Sequence, residues 1–597
     1  MAKGPWIVIG VALVVRLLHL AFVRANDPLY AHTLPDTDMH TYWEWAKSIA
    51  GGDWLSRNRG AFYYGPLYPY WLAPWFALFG ANYDLVHGLQ AVIGVVAPLA
   101  TWSVARRLFG PLAGLVAGLL IALSAPILFY EQLLLMEGLL VAIHAGFLWC
   151  LLNGLTGASR RPWLYAAAAG LLGGMASLGR GNFQLVALLF VPGCYVLTRL
   201  AEGEAGTDTG KNAHHGAPAG SGDDPTLPRA PQRLRSRAWT NTLAYTAALG
   251  LVLGASLLRN GLVGGRWLLT TGNGPILLYI GNATDGLGIF SYPESFLALD
   301  AKYGGNRGAV PWTRELIASI SQHPDKFFSL LVRKAWFFLN GYDVADNASF
   351  YLFARFSPLL YANPIGWELT VALGLVGAWL TRRQWRRVLY LHLYALSFAA
   401  SIIAVFIVGR YRLEFLLPMA IFAGAAVAQA VEWAAARKWR PFVAACAAAV
   451  VLTVVLGPRF SPIVYWYSPP TRPEMRLIRP NDYLMLARAY GETGSADLTL
   501  RTLAEGSAAH PWDYGLAHGL ARSLEEQGRL DEAIDVLRRY LSWMPHDADA
   551  AVELARLLAR AGHVEQSREL LENVLAVLPG HAKARELLDG IRAAQHQ

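Results

Sequence analysis

Pro35-Asp36-Thr37-Asp38-Met39-His40-Thr41-Tyr42-Trp43-Glu44-Trp45-Ala46 follows directly on a strongly apolar run, Trp6 to Val23. Such a run suits a hydrocarbon core about 30 Å thick. The carboxylates after it therefore fall where water, lipid headgroups and a soluble substrate meet. The rest of the chain reads as built to hold such a site at one face of a bilayer.

Of the 597 residues, 54% are hydrophobic and only 16% charged, against about 25% charged in a soluble globular protein. Apolar segments recur near 5–23, 84–105, 111–130, 132–153, 163–180, 182–200, 238–258, 362–381, 387–409, 412–436 and 440–457. The expected fold is all-α, with about eleven spans in a transmembrane domain over 1–460. Gly, Pro and Ala inside the segments suit close helix packing. The first segment lacks a small-residue cleavage site and reads as retained. Cys150, Cys194 and Cys446 all lie in apolar segments, with neither a disulfide framework nor metal spacing. They read as small buried apolar residues.

The net charge of +9 raises nucleic acid as a partner. The basic residues, however, fall in short clusters between apolar runs, which is membrane topology. Arg106-Arg107, Arg160-Arg161, Arg233/Arg235/Arg237, Arg382-Arg383 with Arg386-Arg387, and Arg437-Lys438 with Arg440 all fall on one side. By the positive-inside rule that side is cytoplasmic. Asp38, the connections 24–83 and 259–361, and everything after Gly457 are then extracytoplasmic. The stretch 201–237, rich in Gly, Ala, Asp and Pro, reads as a disordered cytoplasmic linker, with His214-His215 a solvated pair.

The tail over 477–597 is different. Gly494, Gly528 and Gly562 recur every 34 residues, as do Pro511, Pro545 and Pro579. Two punctuators sharing this period mark tetratricopeptide repeats, helix pairs that bury their apolar faces only by stacking. Three repeats and a final helix near 580–594 are expected. Such an array binds protein surfaces or caps the membrane domain.

Asp36, Asp38, His40 and Glu44 crowd the start of the first loop. A carboxylate at a low-dielectric boundary suits a general base, provided it reaches the proton it removes; alternatively Asp36 or Asp38 caps a helix running through Ala50. Glu131 and Glu137 lie at or within spans, where ionisable groups face a cavity or a partner. Three roles suit them: positioning an acceptor, binding a divalent cation, or pairing with Arg16. Arg180, Arg259, Arg410 and Arg412 lie on the outer side, against the inside bias. Planar guanidinium forks at headgroup depth suit a lipid-linked phosphate, or else they snorkel. Phe62-Tyr63-Tyr64-Gly65-Pro66-Leu67-Tyr68-Pro69-Tyr70-Trp71 is an interfacial aromatic stretch suited to a sugar or a prenyl chain.

Together these features resemble the lipid-phosphosugar-dependent glycosyltransferases of the GT-C fold. Relatives include the protein O-mannosyltransferases and the aminoarabinose transferase of lipid A. The resemblance covers roughly 5–460. It rests on Asp38 to Ala46, Pro66 to Tyr70, Arg259-Asn260, Gly272-Asn273-Gly274 with Tyr279 to Asn282, Trp336 to Tyr351, and Arg410-Tyr411-Arg412. With its repeats the chain is similar to a bacterial subgroup described as family 39-like. The resemblance implies Asp38 as catalytic base. It implies a polyprenyl-phosphate sugar as donor, and Arg259, Arg410, Arg412 and Arg180 as phosphate contacts. Asp36, Glu131, Glu137, Tyr64 and Tyr68 would lie on the acceptor side or behind. No metal ligand set is assigned, a divalent cation being left open. The acceptor is a hydroxyl of a protein, glycan or lipid, and the location a bacterial inner membrane with the site outside. Two departures stand out: Met39 where the mannosyltransferases often carry an acidic residue, and Gly65 where the aminoarabinose transferase has a basic one. The rival readings are a lipid-linked-sugar flippase and a membrane-anchored scaffold. The absence of internal duplication and the one-sided polar residues count against the first, and the elaborate outer loops against the second.

Overall fold

The computed structural model describes residues 3–155, 160–213, 230–303, 309–363, 365–466 and 477–595. It divides into two compact units. One comprises Met1–Asp27, Pro35–Phe350 and Ala354–Ser461; the other comprises Pro28–Leu34, Tyr351–Phe353 and Pro462–Gln597. Among the described residues the secondary structure is helical apart from one isolated parallel bridge, Ile289 to Ile407.

The first unit opens with α1 (Gly4–Asn26), α2 (Asp38–Ala50) and α3 (Leu67–Phe79). Then come α4 (Tyr83–Ile93), α5 (Val96–Phe109), α6 (Pro111–Ala122) and α7 (Ala125–Gln132). They are followed by α8 (Glu137–Leu155), α9 (Pro162–Gly179), α10 (Phe183–Ala213) and α11 (Ala230–Gly264). Every expected apolar segment falls on a helix or a broken helix. Among the described residues six helical stretches are long and apolar enough to cross a membrane, and a seventh if α6 and α7, bent by 46°, count as one. Trp367–Leu380 and Trp439–Val455 are apolar but shorter.

Glycine lets helices approach where a side chain would not fit. A β-carbon on Gly174 of α9 would lie 2.6 Å from the Val252 β-carbon of α11. Arg16 of α1, buried, is paired with Glu131 of α7 through Nε at 2.8 Å and NH2 at 2.9 Å. Cys150 and Cys194 are buried as expected, but Cys446 is exposed. Its helix, Trp439–Val455, buries no residue at all; an apolar helix solvated by lipid needs no protein cover. The expected linker also differs at its ends. Helix runs through Ala213 and resumes at Ala230, while 214–229, with His214-His215, lies outside the described residues.

In the second unit the helices pair as Pro480–Glu492 with Ala496–Ala509, Tyr514–Glu526 with Leu530–Trp543, and Ala548–Arg560 with Val564–Val577. Ala582–Gln595 closes the array. The 34-residue glycines have a conformational reason. Gly494, Gly528 and Gly562 have φ of +78°, +76° and +86°, a left-handed region that costs an L-residue about 1 kcal/mol. Each ends a first helix in a Schellman turn, with Ser495 N–H donating to Tyr490 O at 2.8 Å and Arg529 N–H to Leu524 O at 2.9 Å. Asp513 and Asp547 cap the next first helices.

Candidate active site

Asp38 is the first residue of α2 and does not cap it. Thr37 does, its hydroxyl accepting from His40 N–H at 3.3 Å. The Asp38 carboxylate is thus left for other partners, and both come from far along the chain. Arg410 NH2 lies 2.5 Å from Asp38 Oδ2. Asn347 grips the residue twice: its Oδ1 accepts from Asp38 N–H at 2.8 Å, and its Nδ2 donates to Oδ2 at 3.1 Å. Among the described residues Oδ1 takes no hydrogen bond, and the side chain is 21% exposed. One carboxylate oxygen is anchored and the other is open.

Arg410 is nearly buried and serves three carboxylates. Besides Asp38 it meets Asp346 Oδ2 through Nε at 2.8 Å and NH2 at 2.5 Å, and Glu137 Oε1 through NH1 at 3.3 Å. Arg180 stands behind it, 2.5 Å from Glu137 Oε1 and 3.6 Å from Glu414 Oε1, and donates to the Arg410 carbonyl at 3.2 Å. Both guanidiniums lie over the Tyr411 ring, at 4.2 Å for Arg180 and 5.0 Å for Arg410. Four carboxylates therefore share two arginines. Asp38 and Asp346 are partly exposed, while Glu137 and Glu414 are buried.

The other sequence-predicted residues divide. Tyr64 stands edge-on to Tyr42, centroids 6.4 Å apart, one helical turn after Asp38. Tyr68 packs against the same ring at 5.8 Å and spends its hydroxyl on Gln90 Oε1. Gln90 in turn donates to the carbonyls of Glu131 at 2.6 Å and Leu133 at 2.9 Å. Burial pushes the Tyr42 hydroxyl well above its ordinary pKa, and the Asp38 charge adds to this, so the ring is a neutral wall. Asp36 is exposed. Glu131 is on Arg16, the structural pairing weighed above.

Arg259 and Arg412 hold main chain instead of joining this cluster. Arg259 donates to the carbonyls of Leu55 at 2.9 Å, Ser56 at 2.6 Å and Gly60 at 2.5 Å, with its guanidinium 3.8 Å from the Phe62 ring centroid. It fixes a loop in which Ser56 has φ of +47°. Arg412 donates to the carbonyls of Phe337 at 2.8 Å, Phe338 at 3.1 Å, Tyr342 at 2.6 Å and also Asn340. It sits at the C-terminal end of the helix Pro324–Leu339, the end at which a cation is favoured. The following segment is pinned by Gly341 N–H on Leu456 O at 2.6 Å and Gly409 N–H on Val344 O at 2.9 Å. These bonds support the loop that bears Asp346 and Asn347.

Both departures from the resembled families have a local physical reason, desolvation for one and sterics for the other. Met39 is 1% exposed, so an acidic residue there would be buried. A β-carbon at Gly65 would lie 2.8 Å from the Leu178 carbonyl oxygen and against that of Gly179, immediately before Arg180. Asp346, Asn347 and Glu414 were missed as individual site residues. Glu414 had a signal, an acid two residues beyond Arg412 in an apolar setting. Asp346 and Asn347 had none beyond lying within Trp336 to Tyr351.

Fold and site define a multi-pass all-α membrane protein with a charged cluster, followed by an α-solenoid. Comparisons with known proteins give what it is similar to. Residues 64–202 match the family "Dolichyl-phosphate-mannose-protein mannosyltransferase", and residues 524–591 match "Tetratricopeptide repeat". Over residues 64–202 the chain is thus similar to that mannosyltransferase family, and its C-terminal helix pairs are similar to tetratricopeptide repeats. No curated protein matches it. Among solved structures it is similar to the Archaeoglobus fulgidus oligosaccharyltransferase in the apo form, at 14% identity and TM-score 0.41, covering 75% of this chain and 55% of that one. It is also similar to ArnT from Cupriavidus metallidurans bound to undecaprenyl phosphate, at 18% identity and TM-score 0.38, covering 93% and 81%. This chain spans about half the length of the archaeal oligosaccharyltransferase.

Proposed function

We propose that the protein is a membrane glycosyltransferase that moves a sugar from a polyprenyl-phosphate donor to an acceptor hydroxyl, with Asp38 as general base. The observation that carries this is the split environment of the Asp38 carboxylate: Oδ2 is tied to Arg410 and Asn347, while Oδ1 is open. A base held this way keeps its orientation and offers one oxygen to an incoming proton. The match of 64–202 to a family named for a dolichyl-phosphate sugar supports the donor class.

In the proposed reaction the acceptor oxygen attacks the anomeric carbon. Its proton passes to Asp38 Oδ1, and the bond from that carbon to the phosphate oxygen breaks. The electron pair leaves with the polyprenyl phosphate. Arg410, backed by Arg180, meets the charge that develops there, where fixed positive charge has its largest effect. Single displacement inverts the sugar carbon. The site and the repeats face outward from a bacterial inner membrane, as the basic clusters argue. The repeats recruit a protein or glycan acceptor.

The test is transfer of labelled sugar from a polyprenyl-phosphate donor by the purified full chain. Asp38→Asn should lower kcat by about 10²–10⁴-fold while carrier binding persists, and undiminished turnover would refute the assignment. Protease mapping that put residues 24–83 inside the cell would refute the orientation.

A further inference from the structure

Arg410 cannot turn a forked edge to a phosphate as the structure finds it, because Nε and NH2 meet Asp346, NH2 also meets Asp38, and NH1 meets Glu137. One of these carboxylates has to leave, and the three are held very differently. Glu137 is fully buried on α8 and also bound by Arg180 at 2.5 Å. Asp38 is clamped by Asn347 at its main chain and its Oδ2. Asp346 is 18% exposed and stands on the segment between two helices. Apart from Arg410, its one hydrogen bond among the described residues comes from the adjacent Asn347, at 3.2 Å. It also occupies the Nε and NH2 edge of the guanidinium, the fork that suits a phosphate's paired oxygens.

We propose that Asp346 holds the place of the carrier phosphate on Arg410 and sets carrier affinity by yielding it. This rests on the reading above, in which Arg410 receives the phosphate. The intact donor is a phosphodiester with a single charge, like a carboxylate, but the polyprenyl phosphate left after transfer is a monoester with more charge and one more acceptor oxygen, so it displaces Asp346 where a neutral ligand does not. Asn347 need not follow, because the segment stays pinned through Val344 to Gly409, and Asp38 keeps its orientation. Until then the carboxylate keeps the buried arginine from standing with an open fork.

A binding-competent state populated at about one part in ten weakens apparent affinity about tenfold. Removing the Asp346 charge should therefore tighten binding by about that factor. The probe is a sugar-free polyprenyl phosphate titrated into the purified full chain. Asp346→Asn and Asp346→Ala should each bind it about tenfold more tightly. Glu44→Gln, an acid on α2 outside the cluster, should bind as wild type. A structural or base role for Asp346 would instead lower kcat without tightening. Two controls separate the layers of the argument. If Arg410→Gln does not weaken binding, the phosphate reading itself fails. If Arg410→Gln weakens binding but neither Asp346 variant tightens it, that reading stands and the placeholder is overturned. Equal tightening by Glu44→Gln would overturn it too, as a general charge effect.

Discussion

Arg412→Leu separates two arginines that lie two residues apart. The substitution keeps an apolar stem and removes the guanidinium. Arg412 is 1% exposed and donates to four main-chain carbonyls, those of Phe337, Phe338, Asn340 and Tyr342. A buried acceptor left without a donor costs about 1–3 kcal/mol. At the low end for each, the four together give about 4 kcal/mol. The guanidinium also loses its place over the Trp367 ring, 4.2 Å from its centroid. At about 2 °C per kcal/mol for a large domain, Tm should fall by roughly 8 °C. Thermal unfolding of the purified full chain in detergent measures this, alongside titration with sugar-free polyprenyl phosphate. Arg410→Gln should show the opposite balance, a large loss of carrier binding for a smaller loss of Tm. If Arg412→Leu kept its Tm and lost carrier binding, Arg412 would be a phosphate ligand and the argument from its carbonyl partners would be wrong.

Two further substitutions test the frame around the site. Gly65→Lys, which restores the basic residue of the aminoarabinose transferase, should push Leu178 and Gly179 away, at about 1–3 kcal/mol for overpacking, and disturb Arg180; unchanged Tm and transfer would contradict the close approach. In the repeats, hydrogen bonds from Arg556 hold the Glu525 carboxyl below its usual range. Because its folded pKa is depressed, the stability this contributes is present above the ordinary carboxylate pKa and is lost as pH falls through the folded value. Hydrogen-exchange protection factors over 514–560, referenced to intrinsic rates at each pH, should therefore fall on acidification in wild type, and Arg556→Met should flatten that dependence; identical pH profiles would sink the assignment.

Some of the site was legible because it is local. Asp38 follows a span, and Arg180 and Arg410 stand at segment ends where charge is unexpected, so hydropathy alone marked them. The repeats were legible for the same reason: left-handed turns at Gly494, Gly528 and Gly562 recur with the helix pair that needs them. Arg259 and Arg412 carried the same signal yet hold backbone. The sequence shows that a guanidinium is there but not which carbonyls lack donors. Asp346 and Asn347 stand more than 300 residues from Asp38, and no periodicity reaches that far.

The order of the residues determined the all-α class, the apolar segments, the repeat array and the placing of an acid just beyond the first span. These follow from hydropathy, helical period and turn conformation, which act over a few neighbours. Tertiary structure alone decided which charges meet: Asp38 with Asn347 and Arg410, Glu137 with Arg180, Glu131 with Arg16. Ion pairs between distant segments depend on which helix ends pack together, and that is set by the burial of the whole bundle rather than by any stretch of it.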